Sequence, residues 1–193
     1  MIKFDSNHPG DYQHCGRMVL PWDLIMSDLQ GVAEEQTKNW SILDNETYKD
    51  SATSIMNEYK QYGYNPYNTR SWKTTNFDPK ITFSWEHQVT KQLPLDHAIV
   101  TIHRQDPGQV LPWHFDRFFM LKRLHPQDTR EIWRFLVFME DWKLGHFLQV
   151  GDSVLHHWKQ GDTVVWRPDT LHLAANVGLE KKWTCNVTGF ITA

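Results

Sequence analysis

Cysteine is scarce in this sequence, basic residues are not in excess and long apolar runs are missing; each absence closes off a class of function. The two cysteines, Cys15 and Cys185, stand alone rather than in a Cys-x-x-Cys spacing. That excludes a zinc knuckle and a disulfide-stapled scaffold, and it suits a reducing, cytoplasmic setting. Lys and Arg number 20 against 23 Asp and Glu, a formal net charge of −3. No basic footprint for a phosphate backbone follows, so nucleic acid is not an expected partner. No apolar run approaches the roughly 18–20 residues of a membrane-spanning helix, and the opening residues carry Lys3, Asp5 and His8 where a signal segment would be apolar. The expectation is a soluble chain without membrane association, and no motif speaks to its oligomeric state.

What the chain does have is aromatic surface: 10 Trp, 10 Phe and 6 Tyr in 193 residues. Such side chains favour pleated, half-buried surfaces and large apolar contacts. The length suits one domain, residues 1–193. Its first half reads as helical. Leu24, Ile25, Leu29 and Val32 recur at helical spacing between Val19 and Glu35, Tyr48 to Tyr59 do so between Glu46 and Tyr62, and Phe77-Asp78-Pro79 is set to open a third helix running to Leu93. From Leu95 the period shortens. Strand-like runs at 97–104, 131–139, 146–150, 153–158, 163–166, 171–176 and 183–190 are separated by turn formers such as Asp106-Pro107-Gly108, Gly151-Asp152 and Gly161-Asp162. About seven short strands with tight turns predict a β sandwich or barrel rather than a parallel βαβ sheet. The expected class is mainly β with N-terminal helices: a helical elaboration over 1–94 and a β core over 95–190.

One constellation in that core carries chemistry. Pro112-Trp113-His114-Phe115-Asp116 places a His and an Asp two apart, and His172 follows in Arg167-Pro168-Asp169-Thr170-Leu171-His172. Two imidazoles and one carboxylate form the facial triad of non-haem Fe(II) oxygenases, leaving three octahedral positions open. The competing readings are a hydrogen-bonded turn pair for His114 and Asp116 and a core-edge histidine for His172.

The triad run resembles the Fe(II)- and 2-oxoglutarate-dependent dioxygenases, as do Phe147-Leu148-Gln149-Val150-Gly151-Asp152, the segment Trp158 to Trp166 and Thr170 to Asn176. The likeness is to the aspartyl/asparaginyl and prolyl hydroxylase branches and covers roughly Leu95 to Phe190. It implies a double-stranded β-helix (jelly-roll, cupin-like) core, Fe(II) on His114, Asp116 and His172, and 2-oxoglutarate as co-substrate. The implied activity is hydroxylation of a C–H bond with release of succinate and CO2. An Arg or Lys some ten residues past the distal His holds the far carboxylate in that family; here Lys182 stands at that spacing, with Lys181 beside it. A buried carboxylate needs such a cation. Alternation puts Lys182, Thr184, Asn186 and Thr188 on one face of the last strand, opposite Trp183, Cys185 and Val187. Arg134 is a second candidate, because an arginine inside Ile132-Trp133-Arg134-Phe135-Leu136-Val137-Phe138 requires a partner, from substrate, co-substrate or a protein carboxylate.

Candidate substrate contacts are Arg117, Arg104, His103, His146 and Trp113. The connector Tyr62 to Tyr67 and the charged insertion Lys122 to Arg130 are candidate lids. The expected substrate is an amino acid, peptidyl or free, or a small metabolite. Two other functions fit the pattern: a metal-dependent cupin that does not use 2-oxoglutarate, and a non-catalytic β-sandwich binding module lined by aromatic side chains.

Overall fold

A computed structural model describes residues 2–43, 53–77 and 81–192 of the chain. Strand β1 (Gln13–Arg17), helix α1 (Trp22–Gln30), a 3-10 turn (Glu34–Gln36), strand β2 (Lys38–Ser41), helix α2 (Thr53–Gln61), strand β3 (Arg70–Thr75) and helix α3 (Glu86–Thr90) make up the N-terminal half. The remainder comprises β4 (Leu95–Gln105), β5 (Gln109–His114), α4 (Phe119–Leu124), β6 (Ile132–Phe138), β7 (His146–Val150), β8 (Ser153–Leu155), β9 (Asp162–Val165), β10 (His172–Asn176) and β11 (Lys182–Ile191).

Among the described residues these strands form two antiparallel sheets, one of seven strands in the order β1-β9-β6-β11-β4-β3-β2 and one of four in the order β5-β10-β7-β8. The two sheets make a double-stranded β-helix. Helices α1 and α3 cover the outer face of the large sheet, where Ile25, Leu29 and Val89 meet Val100, Ile102, Phe135, Val137, Cys185 and Val187. Phe135, Val100 and Val187 are wholly buried there, each worth about 1.5–3 kcal/mol against exposure. Leu136, Phe138, Leu148, Val150 and Trp158 form a second core between the sheets. Strand β6 is thus apolar on both faces, which accounts for its continuous hydrophobic run.

Two expectations need correcting. The first half is not purely helical: β1, β2 and β3 enter the large sheet, with β1 on β9 and β3 on β4. These are polar strands at or near the sheet edges, so they lack the apolar alternation that marks a half-buried strand. The third helix shrinks to five residues, Glu86–Thr90, and the start expected at 78–79 lies outside the described residues, as do positions 46–52 of the second. In the insertion 122–130, α4 occupies the start, His125 stacks on His97 at 4.1 Å between centroids, and Arg130 pairs with both Asp96 and Asp128.

Close backbone approach sets the register of the small sheet. Val177 N donates to the Gly145 carbonyl at 2.9 Å, and a Cβ on Gly178 would lie 2.2 Å from the Leu144 carbonyl oxygen. Glycine is required there, and the contact holds β10 against β7 in the alignment that places His172 beside Val150.

Candidate metal centre

Strands β5 and β10 are neighbours in the small sheet, with His172 directly opposite His114 and a bulge just beyond. Two histidines 58 residues apart in sequence (114 to 172) are therefore cross-strand partners, and their ring centroids stand 4.2 Å apart. After β5 the chain turns so that Phe115 is exposed while Asp116 is buried. His114 Nδ1 donates to the Pro112 carbonyl at 2.8 Å and His172 Nδ1 to the Thr170 carbonyl at 3.0 Å. A carbonyl can only accept, so both rings carry their proton on Nδ1 and leave Nε2 as a lone pair. His172 Nε2 lies 3.8 Å from Asp116 Oδ2, and the three residues offer ligand atoms that all lie within 4.8 Å of one another.

The partner that Arg134 requires is Asp116. Its guanidinium bonds the carboxylate, and its Nε donates to Thr188 Oγ1 at 3.0 Å. One arginine thus ties the candidate ligand to β11, the strand on the far side of the barrel, and takes Oδ1 while Oδ2 faces His172. Burial pushes the Asp116 carboxyl up, but Arg134 together with His172 and His114 outweighs it and holds the group below its ordinary value. Burial, reinforced by His172, pushes the His114 imidazole down to about 3. His172 moves in the same direction for the same first cause, and His103 falls to about 3 through burial, Lys73 and Arg134. All three rings are neutral at physiological pH, the state a metal ligand needs.

A pH dependence follows. These folded-state values lie below the ordinary 6.5, so the unfolded chain binds more protons in acid. Their contribution to stability is complete above about pH 6.5 and is lost as pH falls toward 3, at up to about 1.4 kcal/mol per pH unit for each ring. Urea unfolding of the metal-free protein should show that loss between pH 6.5 and 5, where ordinary carboxylates remain ionised. A flat profile across that interval would contradict the neutral, buried assignment.

The triad opens on a cavity of about 260 Å³ between the sheets. Its inner wall is a grid on the large sheet: Asn186 stands between Thr101 and Leu136, Thr184 between His103 and Phe138, and Thr188 between Ile99 and Arg134. Leu111, Trp40, Phe118, Phe119 and Leu121 close the other sides. Trp166, buried as core, also lines the cavity and sets its ring 4.7 Å from that of His172.

The other sequence candidates fall in different places. Thr184 and Arg134 line the cavity. Lys182 lies one alternation beyond Thr184 and opposite Gln105, just past the cavity floor, where its ammonium donates to the carbonyls of Phe147 and Ala175. It is 2% exposed, and burial, partly offset by Glu140, pushes it down to about 7. Lys181 is exposed. Arg104 is on the outer face, between Trp72 and Trp183 and paired with Asp106. His146 is buried near Trp158 with its Nε2 on the Glu180 carbonyl. Arg117 lies over the Phe115 ring, and the Trp113 carbonyl accepts from Tyr59 Oη at 2.8 Å. None of these last five lines the cavity. Sequence reasoning passed over Trp40, Lys73 and Ser71, which arrive on β2 and β3; no pattern in those polar strands announces them.

No protein-family model matches the sequence, and no curated protein does. The structure does have relatives in fold. AviO1 from Streptomyces viridochromogenes Tue57 aligns over 92% of this chain and 88% of its own, with a TM-score of 0.55 at 11% identity. SnoK, a non-heme alpha-ketoglutarate-dependent carbocyclase from nogalamycin biosynthesis, aligns over the same shares with a TM-score of 0.52 at 12% identity. At that identity the likeness establishes the shared fold.

Proposed function

We propose that the protein is an Fe(II)- and 2-oxoglutarate-dependent oxygenase that hydroxylates a C–H bond of an amino acid, peptidyl or free, or of a small metabolite. The observation that carries this reading is the triad itself: two neutral imidazole nitrogens and one ionised carboxylate, convergent, buried and lining a cavity. Such a donor set fits a divalent iron that keeps coordination positions for co-substrate and dioxygen. When bound, the metal supplies the coupling between oxidative decarboxylation of 2-oxoglutarate, giving succinate and CO2, and hydroxylation of the substrate.

The chain's own residues have distinct tasks. His114, Asp116 and His172 hold the metal, and Arg134 orients the Asp116 carboxylate as a positioning residue. Lys182, with Thr184, receives the far carboxylate of 2-oxoglutarate. A buried ammonium whose hydrogen-bond acceptors are neutral carbonyls gains most from an incoming anion, and a flexible lysine stem can leave those carbonyls to meet one. The apolar side chains on the other sides, Trp40, Leu111, Phe118, Phe119 and Leu121, limit the access of water to the reacting centre.

Anaerobic titration of the purified protein with Fe(II) and then 2-oxoglutarate tests the reading. A visible metal-to-ligand charge-transfer band that requires both is expected, followed by succinate release on admitting oxygen. Iron uptake without the band would instead favour a metal-dependent cupin that does not use 2-oxoglutarate. Failure to take up iron would favour a binding module.

A further inference from the structure

The polar side chains that β11 turns toward the cavity differ in what already holds them. At one end Thr188 accepts from Arg134, which bonds Asp116 of the triad. At the other, Thr184 leads to Lys182, whose ammonium lies just past the cavity floor on the Phe147 and Ala175 carbonyls. Asn186 stands in the row between, flanked by Thr101 on β4 and Leu136 on β6. All three line the cavity. Leu136 is apolar, and the Thr101 hydroxyl donates to Thr75 Oγ1 at 3.3 Å. The Asn186 carboxamide is therefore the polar group of the middle row whose donors are unspent.

That carboxamide is poorly served by the sheet it stands on. Its Oδ1 is buried and has no hydrogen-bond partner. Its Nδ2 makes no hydrogen bond to protein either, and it is the accessible end of a side chain that lines the cavity. A buried oxygen without a donor destabilises the fold, so a leucine, with the same branched skeleton, would suit the centre of the large sheet better. What a leucine cannot do is donate hydrogen bonds into the cavity. An amide nitrogen presented there selects a ligand that brings an acceptor oxygen.

Resting on the oxygenase reading for the identity of the co-substrate, we propose that Asn186 binds the keto-acid end of 2-oxoglutarate, its Nδ2 donating to the 1-carboxylate while Lys182 meets the 5-carboxylate. The order of the rows carries this assignment. Arg134 ties the triad to the row of Thr188, Lys182 lies beyond the row of Thr184, and a molecule that reaches from one to the other passes the row of Asn186. The chemistry of the group suits the place. A cation in the middle row would compete with the metal for the same carboxylate, whereas a neutral amide can orient that carboxylate and leave its charge to the metal.

Two variants test it beside the native protein: Asn186→Leu, which removes the donor, and Asn186→Asp, which keeps the shape and puts a carboxylate in its place. Free of metal, Asn186→Leu should melt about 2–4 °C higher than the native protein, because the unpaired oxygen is gone. Both variants should take up Fe(II) as the native protein does. The anaerobic Fe(II) proteins are then titrated calorimetrically with 2-oxoglutarate and with 2-oxovalerate, which keeps the keto-acid end and carries a methyl in place of the far carboxylate. Asn186→Leu should weaken both by the same factor, at least about tenfold, whereas Lys182→Met should weaken 2-oxoglutarate alone. Asn186→Asp should bind more weakly still, since like charges would meet. In Asn186→Leu the charge-transfer band should move to shorter wavelength, because a donor at the keto acid stabilises the electron density that it receives. The proposal is overturned if Asn186→Leu binds 2-oxoglutarate as tightly as the native protein, or if it loses affinity for 2-oxoglutarate but not for 2-oxovalerate. It is also overturned if the metal-free Leu variant is the less stable protein, which would make the carboxamide a structural group. A native protein that takes up iron and gives no band would overturn the oxygenase reading together with this proposal, whereas a native band left unchanged by both substitutions would overturn this proposal alone.

Discussion

A His172→Ala variant is expected to lose stoichiometric Fe(II) uptake entirely, and with it the rise in melting temperature that metal confers on the native protein. In the proposed centre His172 would supply one of three protein ligand groups, and it is the one that arrives from a separate strand. Without it, His114 and Asp116 remain as a two-ligand pair. In the native protein, free metal at a hundredfold excess over its dissociation constant should stabilise the fold by about 2.7 kcal/mol. For a chain of this length that corresponds to a shift of about 5–10 °C. The variant should show none. The His172 ring is a buried side chain bonded to the Thr170 carbonyl, so its removal should cost the metal-free protein about 1–3 kcal/mol, not enough to prevent folding. Differential scanning fluorimetry with and without metal, with circular dichroism to confirm the fold, provides the measurement. A variant that kept the metal-dependent shift would remove His172 from the centre.

Lys182→Met should produce an unusual pair of effects, a more stable protein that no longer binds 2-oxoglutarate. The side chains are similar in size, so packing is largely conserved. What disappears is a buried ammonium whose folded-state value is pushed from the ordinary 10.5 down to about 7. The sign is set by proton binding. Between those two values the unfolded chain binds more protons than the folded one, so the lysine's penalty is absent above about 10.5 and fully present below about 7. At neutral pH the variant should therefore gain about 1–3 kcal/mol, after allowance for the donors lost by the Phe147 and Ala175 carbonyls. The difference between variant and native stability should shrink as pH rises from 7 toward 10, at up to about 1.4 kcal/mol per unit. The 2-oxoglutarate-dependent charge-transfer band should weaken by a hundredfold or more in affinity, on the order expected when one member of a buried ion pair is removed, while iron uptake is spared. Stabilisation with undiminished co-substrate binding would remove Lys182 from the anchor role. Destabilisation would mean that its hydrogen bonds to the two carbonyls outweigh its desolvation.

How far the sequence anticipated this arrangement depended on burial. Strands β6 and β11 were legible because one face packs in the outer core and the other faces the barrel, so Trp183, Cys185 and Val187 alternate with Thr184, Asn186 and Thr188. Strand β5 was not. It is an edge strand bonded only to β10, and such an edge tolerates Pro112 in its ladder, which interior strands do not. Helix α4 had no signature either, since it is six residues long and begins after Phe118 in a left-handed conformation at φ 51°. That His114, Asp116 and His172 would converge was readable from residue types and spacing. The identity of Arg134's partner was not, because a sequence shows that a buried arginine needs a carboxylate without showing which one the fold delivers. His103 belongs to the same class. Its inward direction follows from the β4 alternation, while the Ser71 hydroxyl that holds it comes from a strand with no pattern to reveal it.

The pairing of His172 opposite His114 has a kinetic consequence. A contact closed across 58 residues (114 to 172) forms only after the intervening hairpins have been gathered, so the candidate metal position is expected to come into being late in folding. An ion bound there would bridge two strands that must separate early if the barrel is to come apart. Its occupancy should therefore slow unfolding while leaving the folding rate unchanged, and the lifetime of the native state, more than its rate of formation, would report whether the centre is filled.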